Sequence, residues 1–254
     1  MAHGVNAAFL LLASSSPLLV LQLLLVSTSC ALLLRSARGE DLLTNGFTAV
    51  ELAEAQFKVQ KPYDVPLTER YEFVDGVRRM WVYATDHPIT TAHPGGPRTE
   101  TKIEFPSRFF FFSDHGDRSP SVAQLIYSSG VWQFEGYGYI PYGTSGASVM
   151  QIFGAAEHAT TLMLHVYDGN LTYYHDDTRV VDAGVYDRWF RLNVVHDVAA
   201  SNVTVFVDGE HRLTVPGRGG DSHYFKFGVY GQTKNGMSHL MESWWRDVKV
   251  FTKC

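Results

Sequence analysis

The sequence predicts an all-β fold in which two antiparallel sheets pack face to face. Three observations carry that expectation. Apolar and polar residues alternate with period two through most of the chain after Gly39, as they do in strands with one buried face. Asp-Gly pairs interrupt three of these runs, and a tight hairpin turn selects that dipeptide. No long helical repeat competes, so roughly ten to fourteen strands at short spacing are expected.

Taken in order, "AVELAEAQF" (Ala49 to Phe57) is the one helix-like piece, expected to be short. "RYEFVDGVRRMWVYAT" reads as two strands around Asp75-Gly76. "RTETK" puts Arg98, Glu100 and Lys102 on one strand face and Thr99, Thr101 and Ile103 on the other. "SVMQIFG" sets Gln151 beside Val149 and Phe153. "TLMLHVYDGNLTYY" is a second hairpin around Asp168-Gly169, and "NVTVFVDGEHRLTV" a third around Asp208-Gly209. "RWFRLNVVHDV" alternates Phe190, Leu192 and Val194 with Trp189, Arg191 and Asn193. "YFKFGVYGQ" buries Phe225, Phe227 and Val229 and turns Tyr224, Lys226, Tyr230 and Gln232 outward. "WWRDVKVF" places Trp244, Arg246, Val248 and Val250 on one side. The stretch 103–126, with its four-Phe run and polar continuation, has no alternation and reads as an irregular insert.

Residues 1–39 are of another kind. They are Leu-rich, contain no acid, and are followed by small residues, which reads as a secretory signal peptide or a signal anchor. A single domain is expected over 40–254. Cys30 falls in the leader and Cys254 ends the chain, so no internal disulfide is available, and the core must hold without one. The chain has 254 residues, 45% hydrophobic and 13% aromatic, which suffices for such a core. Sequons at Asn170 and Asn202 fit a secretory route to the vacuole or the extracellular space. With Arg35 and Arg38 set aside, 19 basic residues face 26 acidic ones, a formal charge of −7. That balance argues against nucleic acid and anionic membranes as partners, and no apolar stretch after Gly39 spans a bilayer. A soluble monomer is expected.

The usual catalytic signatures are missing. There is no Gly-x-Ser-x-Gly elbow, and "GTSGAS" lacks the lysine of a phosphate loop. His175, Asp176 and Asp177 are adjacent in a turn, a poor geometry for one ion. No metal and no cofactor are expected.

What stands out is polarity on strand faces. Arg98, Lys102 and Lys226 are cations, Gln151 and Gln232 amides, Tyr224 and Tyr230 phenols, all at period-two positions on separate strands. On one curved sheet they would line a cationic groove, since arginine grips a carboxylate through paired hydrogen bonds and lysine adds a point charge. Periodicity alone equally allows ordinary solvated faces.

"RTETK", "SSGVWQFEGYGYIPYGTSGASVMQIFG", "DRWFRLNVVHDV" and "SHYFKFGVYGQ" together resemble the plant citrate-binding proteins, a branch of the alginate-lyase-like β-jelly-roll group. The likeness implies a concanavalin-like jelly-roll sandwich with a concave groove. It also assigns the site. Arg98 and Glu100 match the first lyase motif, with Lys102 at its second arginine; Gln151 matches the second, with Phe153 at its histidine; Tyr224, Lys226, Tyr230 and Gln232 match the third. In such lyases Arg98 and Gln151 would neutralise a uronate carboxylate and Tyr230 would act as acid and base, helped by cations that lower a tyrosine's pKa. Phe153 carries no proton, and loss of a positioned acid–base group costs on the order of 10² to 10⁴ in rate. His87 or His93 are the only substitutes in view. The resemblance therefore implies binding of a small carboxylate such as citrate, or of an acidic polysaccharide, with polyuronate cleavage as the alternative. A weaker reading is a lectin-like wall binder stacking sugars on Trp132, Tyr137 and Tyr139.

Overall fold

The structure, a computed structural model, describes residues 43–92, 95–104, 126–232 and 236–253. The leader, His93, Cys30, Cys254 and nearly all of the insert lie outside them. Fifteen strands occur among the described residues. They run β1 (Thr48–Val50), β2 (Phe57–Gln60), β3 (Tyr71–Val74), β4 (Val77–Tyr83) and β5 (Arg98–Ile103). Next come β6 (Val131–Tyr139), β7 (Ala147–Phe153), β8 (Thr160–Tyr167), β9 (Asn170–Tyr173) and β10 (Asp176–Ala183). The last are β11 (Trp189–Asp197), β12 (Asn202–Val207), β13 (Glu210–Pro216), β14 (Tyr224–Gly231) and β15 (Leu240–Lys253). One sheet is ordered β13-β12-β11-β6-β15-β4-β3, with β1 also on β15; the other is β10-β9-β8-β7-β14-β5-β2. All pairings between these strands are antiparallel.

The three Asp-Gly pairs form hairpins as expected. Asp75, Asp168 and Asp208 have φ of 50°, 48° and 53°, each followed by a glycine at positive φ, the left-handed pair that matches strand twist. Between the sheets, Phe134 and Trp245 of the first meet Phe225 and Phe227 of the second, with ring centroids 5.5–5.9 Å apart. The Trp245 indole donates to Ser243 Oγ at 3.0 Å, and that hydroxyl donates to the Gly228 carbonyl across the sheets at 2.8 Å. The Trp245 indole, the Ser243 hydroxyl and the Gly228 carbonyl are thus satisfied.

Three local expectations fail for physical reasons. Residues 49–57 supply the end of β1, a single 3-10 turn at Glu54–Gln56 and the start of β2, because the sheet edges claim the backbone of a segment too short to hold a helix alone. In β15, Asp247 takes φ 52° and the register slips between Arg246 and Lys249, so Val250 reaches the core while Trp244 and Arg246 stay outside. In β7 a register shift between Ser148 and Met150 sends Val149 into the apolar cluster, off the face of Gln151.

Trp245→Ala should cost about 3–5 kcal/mol, the range for emptying a large aromatic site in a packed core. Urea denaturation followed by circular dichroism measures it.

Candidate functional site

β14 lies between β5 and β7, so the three lyase-like motifs become neighbours in the second sheet. The register sets Tyr230 opposite Arg98, Gly228 opposite Glu100 and Lys226 opposite Lys102. On the other flank Lys226 faces Gln151 and Tyr224 faces Phe153. Phe225, Phe227 and Val229 fill the core, so the intervening residues share the sheet's outer face. Arg98, Glu100, Lys102, Gln151, Tyr224, Lys226 and Tyr230 are brought together.

They are also withdrawn from water. Glu100, Gln151 and Lys226 are each 2% exposed and Arg98 5%. Glu100 is the hub: it accepts from Arg98 Nη1 at 3.1 Å, from Lys226 Nζ and from Gln151 Nε2. Burial pushes the Lys226 ammonium below the ordinary lysine range, and Glu100 opposes that shift. The Arg98 guanidinium carbon lies 3.6 Å from the centre of the Tyr230 ring, while its Nε, buried, has no hydrogen-bond partner. Gln60, opposite Glu100 on β2, has an unpartnered buried Oε1. Lys102 reaches Glu104 at 3.4 Å and lies 4.5 Å from the Tyr224 ring centre.

Gly228 makes the hub possible. Its φ is 136°, and a Cβ there would sit 2.6 Å from the Thr99 carbonyl and 2.7 Å from Glu100 Cα. Only glycine lets β14 close on β5 at this point.

Some expected residues serve differently. Gln232 commits its amide to the Tyr230 carbonyl at 2.9 Å. Tyr224 stacks on Phe153 at 4.9 Å, and burial, then Glu100, drives its hydroxyl well above the usual tyrosine range; Arg98 opposes this without reversing it. His87 is occupied by Asp64 at 2.8 Å. Asn170 and Asn202 open β9 and β12 and are half-buried. The lectin-like platform does not form. Trp132 turns into the core against Tyr127, whereas Tyr139 stacks on Trp244 on the outer side of the first sheet, with Tyr137 on the same side. No cluster of three metal-ligating side chains occurs among the described residues.

Two contributors escape the sequence reading: Gln60 and His165. His165 lies on β8 opposite Ser148, itself opposite Tyr230, so it shares their face. Its alternation with Leu162, Leu164 and Val166 in "TLMLHVY" is the available signal. Burial, and after it His175, holds its imidazole down at about 4.

A profile of the family described as Alginate lyase matches residues 50–252. The chain belongs to the alginate lyase family. A citrate-binding protein from Hevea brasiliensis is 44% identical over 208 residues, covering 82% of this chain and 78% of that protein. Among solved structures, alginate lyase AlgAT5 of polysaccharide lyase family 7 superposes with a TM-score of 0.55 at 16% identity, covering 77% of this chain and 93% of that one. A doubly substituted form of the family 7 alginate lyase A1-II′ in complex with substrate gives 0.56 at 15%, covering 79% and 94%. The lyase AlyA1 from Zobellia galactanivorans gives 0.52 at 14%, covering 82% and 95%. These structures share the fold with this jelly roll.

Glu100→Ala should cost about 3–5 kcal/mol, because it strips buried cations of their counter-charge, and adding Lys226→Met should recover part of the loss. Urea unfolding of the single and double variants tests this cycle. Acid sensitivity follows from His165 and from His196, which burial, then His223, also holds at about 4. Between the ordinary 6.5 and about 4 the unfolded chain takes up protons that the folded rings refuse, so stability falls as pH falls through that window. The melting temperature against pH should lose part of this slope in His165→Gln.

Proposed function

We propose that this chain binds a carboxylate-bearing ligand, citrate or an acidic sugar, at the outer face formed by β5, β14, β7 and β2. One observation carries the reading: the buried Arg98 offers an Nε donor with no protein partner. A buried donor left unmade costs about 1–3 kcal/mol, and a ligand carboxylate beside Tyr230 would recover it. The relative from Hevea brasiliensis, named for citrate binding, supports a small acidic ligand. Charge also speaks to the ligand. Arg98, Lys102 and Lys226, with Lys58 opposite Lys102 on β2, outnumber Glu100 and Glu104, which leaves the face net positive and suits an anionic ligand. The leader-like N-terminus and the sequon at Asn202 support a secreted or vacuolar protein.

Cleavage of polyuronates is the less supported reading, because Phe153 stands where the lyase motif has its histidine and packs flat on Tyr224. No other described imidazole but His165 lines up in register with Tyr230.

Glucuronate or citrate at millimolar concentration should raise the melting temperature, since a ligand that binds only the folded state stabilises it. Arg98→Ala should abolish the shift. With alginate and glucuronan, near-ultraviolet absorbance from an unsaturated product should stay flat. A rising signal that Tyr230→Phe removes would instead establish the lyase.

A further inference from the structure

Beyond His165 the same face sinks into a depression of about 530 Å³. Its position is set by register. Arg98, Tyr230, Ser148, His165 and Thr172 stand opposite one another in turn across β5, β14, β7, β8 and β9. Four strand spacings separate the ends of this row, roughly 19 Å. Tyr167 pairs with Asn170 in the adjoining register position. The depression lies at the Thr172 end, lined by Tyr167, Asp168, Asn170, Thr172, His175 and Asp177 among others.

Its chemistry is the reverse of the Arg98 end. Two carboxylates, an amide, two hydroxyls, a phenol and an imidazole line it, and among the described residues no lysine or arginine does. A ligand carboxylate placed there would face Asp168 and Asp177, with no lysine or arginine among the described lining residues. Hydroxyls would find acceptors and donors at every side. A second observation lies beside the depression. His165, 3% exposed and placed between Tyr167 on its own strand and Thr172 on the next, has an Nε2 with no partner, while its Nδ1 is 3.4 Å from the Tyr167 hydroxyl. A neutral ring nitrogen there exchanges one hydrogen bond with a hydroxyl.

We infer that the depression is the second half of the ligand site and takes a neutral, hydroxyl-rich sugar joined to the uronate held at Arg98. This rests on the carboxylate reading of the Arg98 end. The chain then selects glycans in which uronate and neutral sugars adjoin, and discriminates against runs of uronate.

Isothermal titration with three probes tests the inference: glucuronate, trigalacturonate, and an aldotriouronic acid carrying one glucuronate on xylobiose. The protein is made without N-glycans, because Asn170 lines the depression. The aldotriouronic acid should bind at least about tenfold more tightly than either other probe, the worth of one or two added hydrogen bonds. Asn170→Leu, in the lining of the depression, should remove that advantage while leaving glucuronate affinity unchanged. The exposed Asp177→Lys, which does not touch the core, should raise trigalacturonate affinity about three- to tenfold by replacing repulsion with attraction. Trigalacturonate binding as tightly as the mixed trimer overturns the inference and leaves the carboxylate site standing. Unchanged trigalacturonate affinity in Asp177→Lys also counts against it. Failure of glucuronate and citrate alike to bind removes the carboxylate site, and the depression's role with it.

Discussion

One carboxylate organises the outer face of the second sheet. Glu100 holds donors from three side chains on three strands: Arg98 on its own, Lys226 on β14 and Gln151 on β7. Two cations this deeply buried repel each other and lose most of their hydration, and a shared acid is what lets both remain. An acid at the centre of a face proposed to hold acids is therefore not a contradiction. It fixes the rotamers of Lys226 and Gln151 and consumes one edge of Arg98, leaving Nε as the unpaired donor. Binding then needs little further ordering, which is where affinity is usually lost.

The hub depends in turn on the core behind it. The chain of hydrogen bonds from Trp245 through Ser243 to the Gly228 carbonyl joins the first sheet to the residue opposite Glu100. Gly228 cannot carry a side chain without striking the backbone of Thr99 and Glu100. Packing, inter-sheet hydrogen bonding and strand approach thus converge on one position, and site geometry is set by the sandwich as much as by the polar residues themselves.

Much of this is legible in the chain. Period-two alternation marks the buried and outward faces of β5, β11 and β14, and Asp-Gly marks three hairpins, because both are local consequences of backbone geometry. Where an extra residue bulges, as at Asp247 in β15 or near Val149 in β7, the period breaks and the pattern points to the wrong face. The short helix expected at 49–57 yields to edge pairing, a tertiary preference that no local pattern records. For the site, alternation shows which side chains share a face but not which neighbour each one holds. That Glu100 gathers three donors, that Gln232 turns to its own backbone, and that Gln60 and His165 join the face depend on strand order. Strand order is a non-local property.

Phe153 weighs the site toward holding a ligand over transforming one. Elimination beside a carboxylate needs that charge neutralised so that the adjacent carbon can lose its proton, and a group that takes this proton and returns one to the leaving oxygen. The Arg98 end can supply the first. For the second, Tyr224 is tied up against Phe153 and its hydroxyl is held further from ionisation by burial and Glu100. Tyr230 carries the Arg98 guanidinium on its ring face and is left to serve alone as acid and base. A stacked aromatic pair where a proton carrier would stand makes that wall of the site apolar and rigid. Such a wall would orient a ligand without reacting with it, which agrees with the proposed binding role.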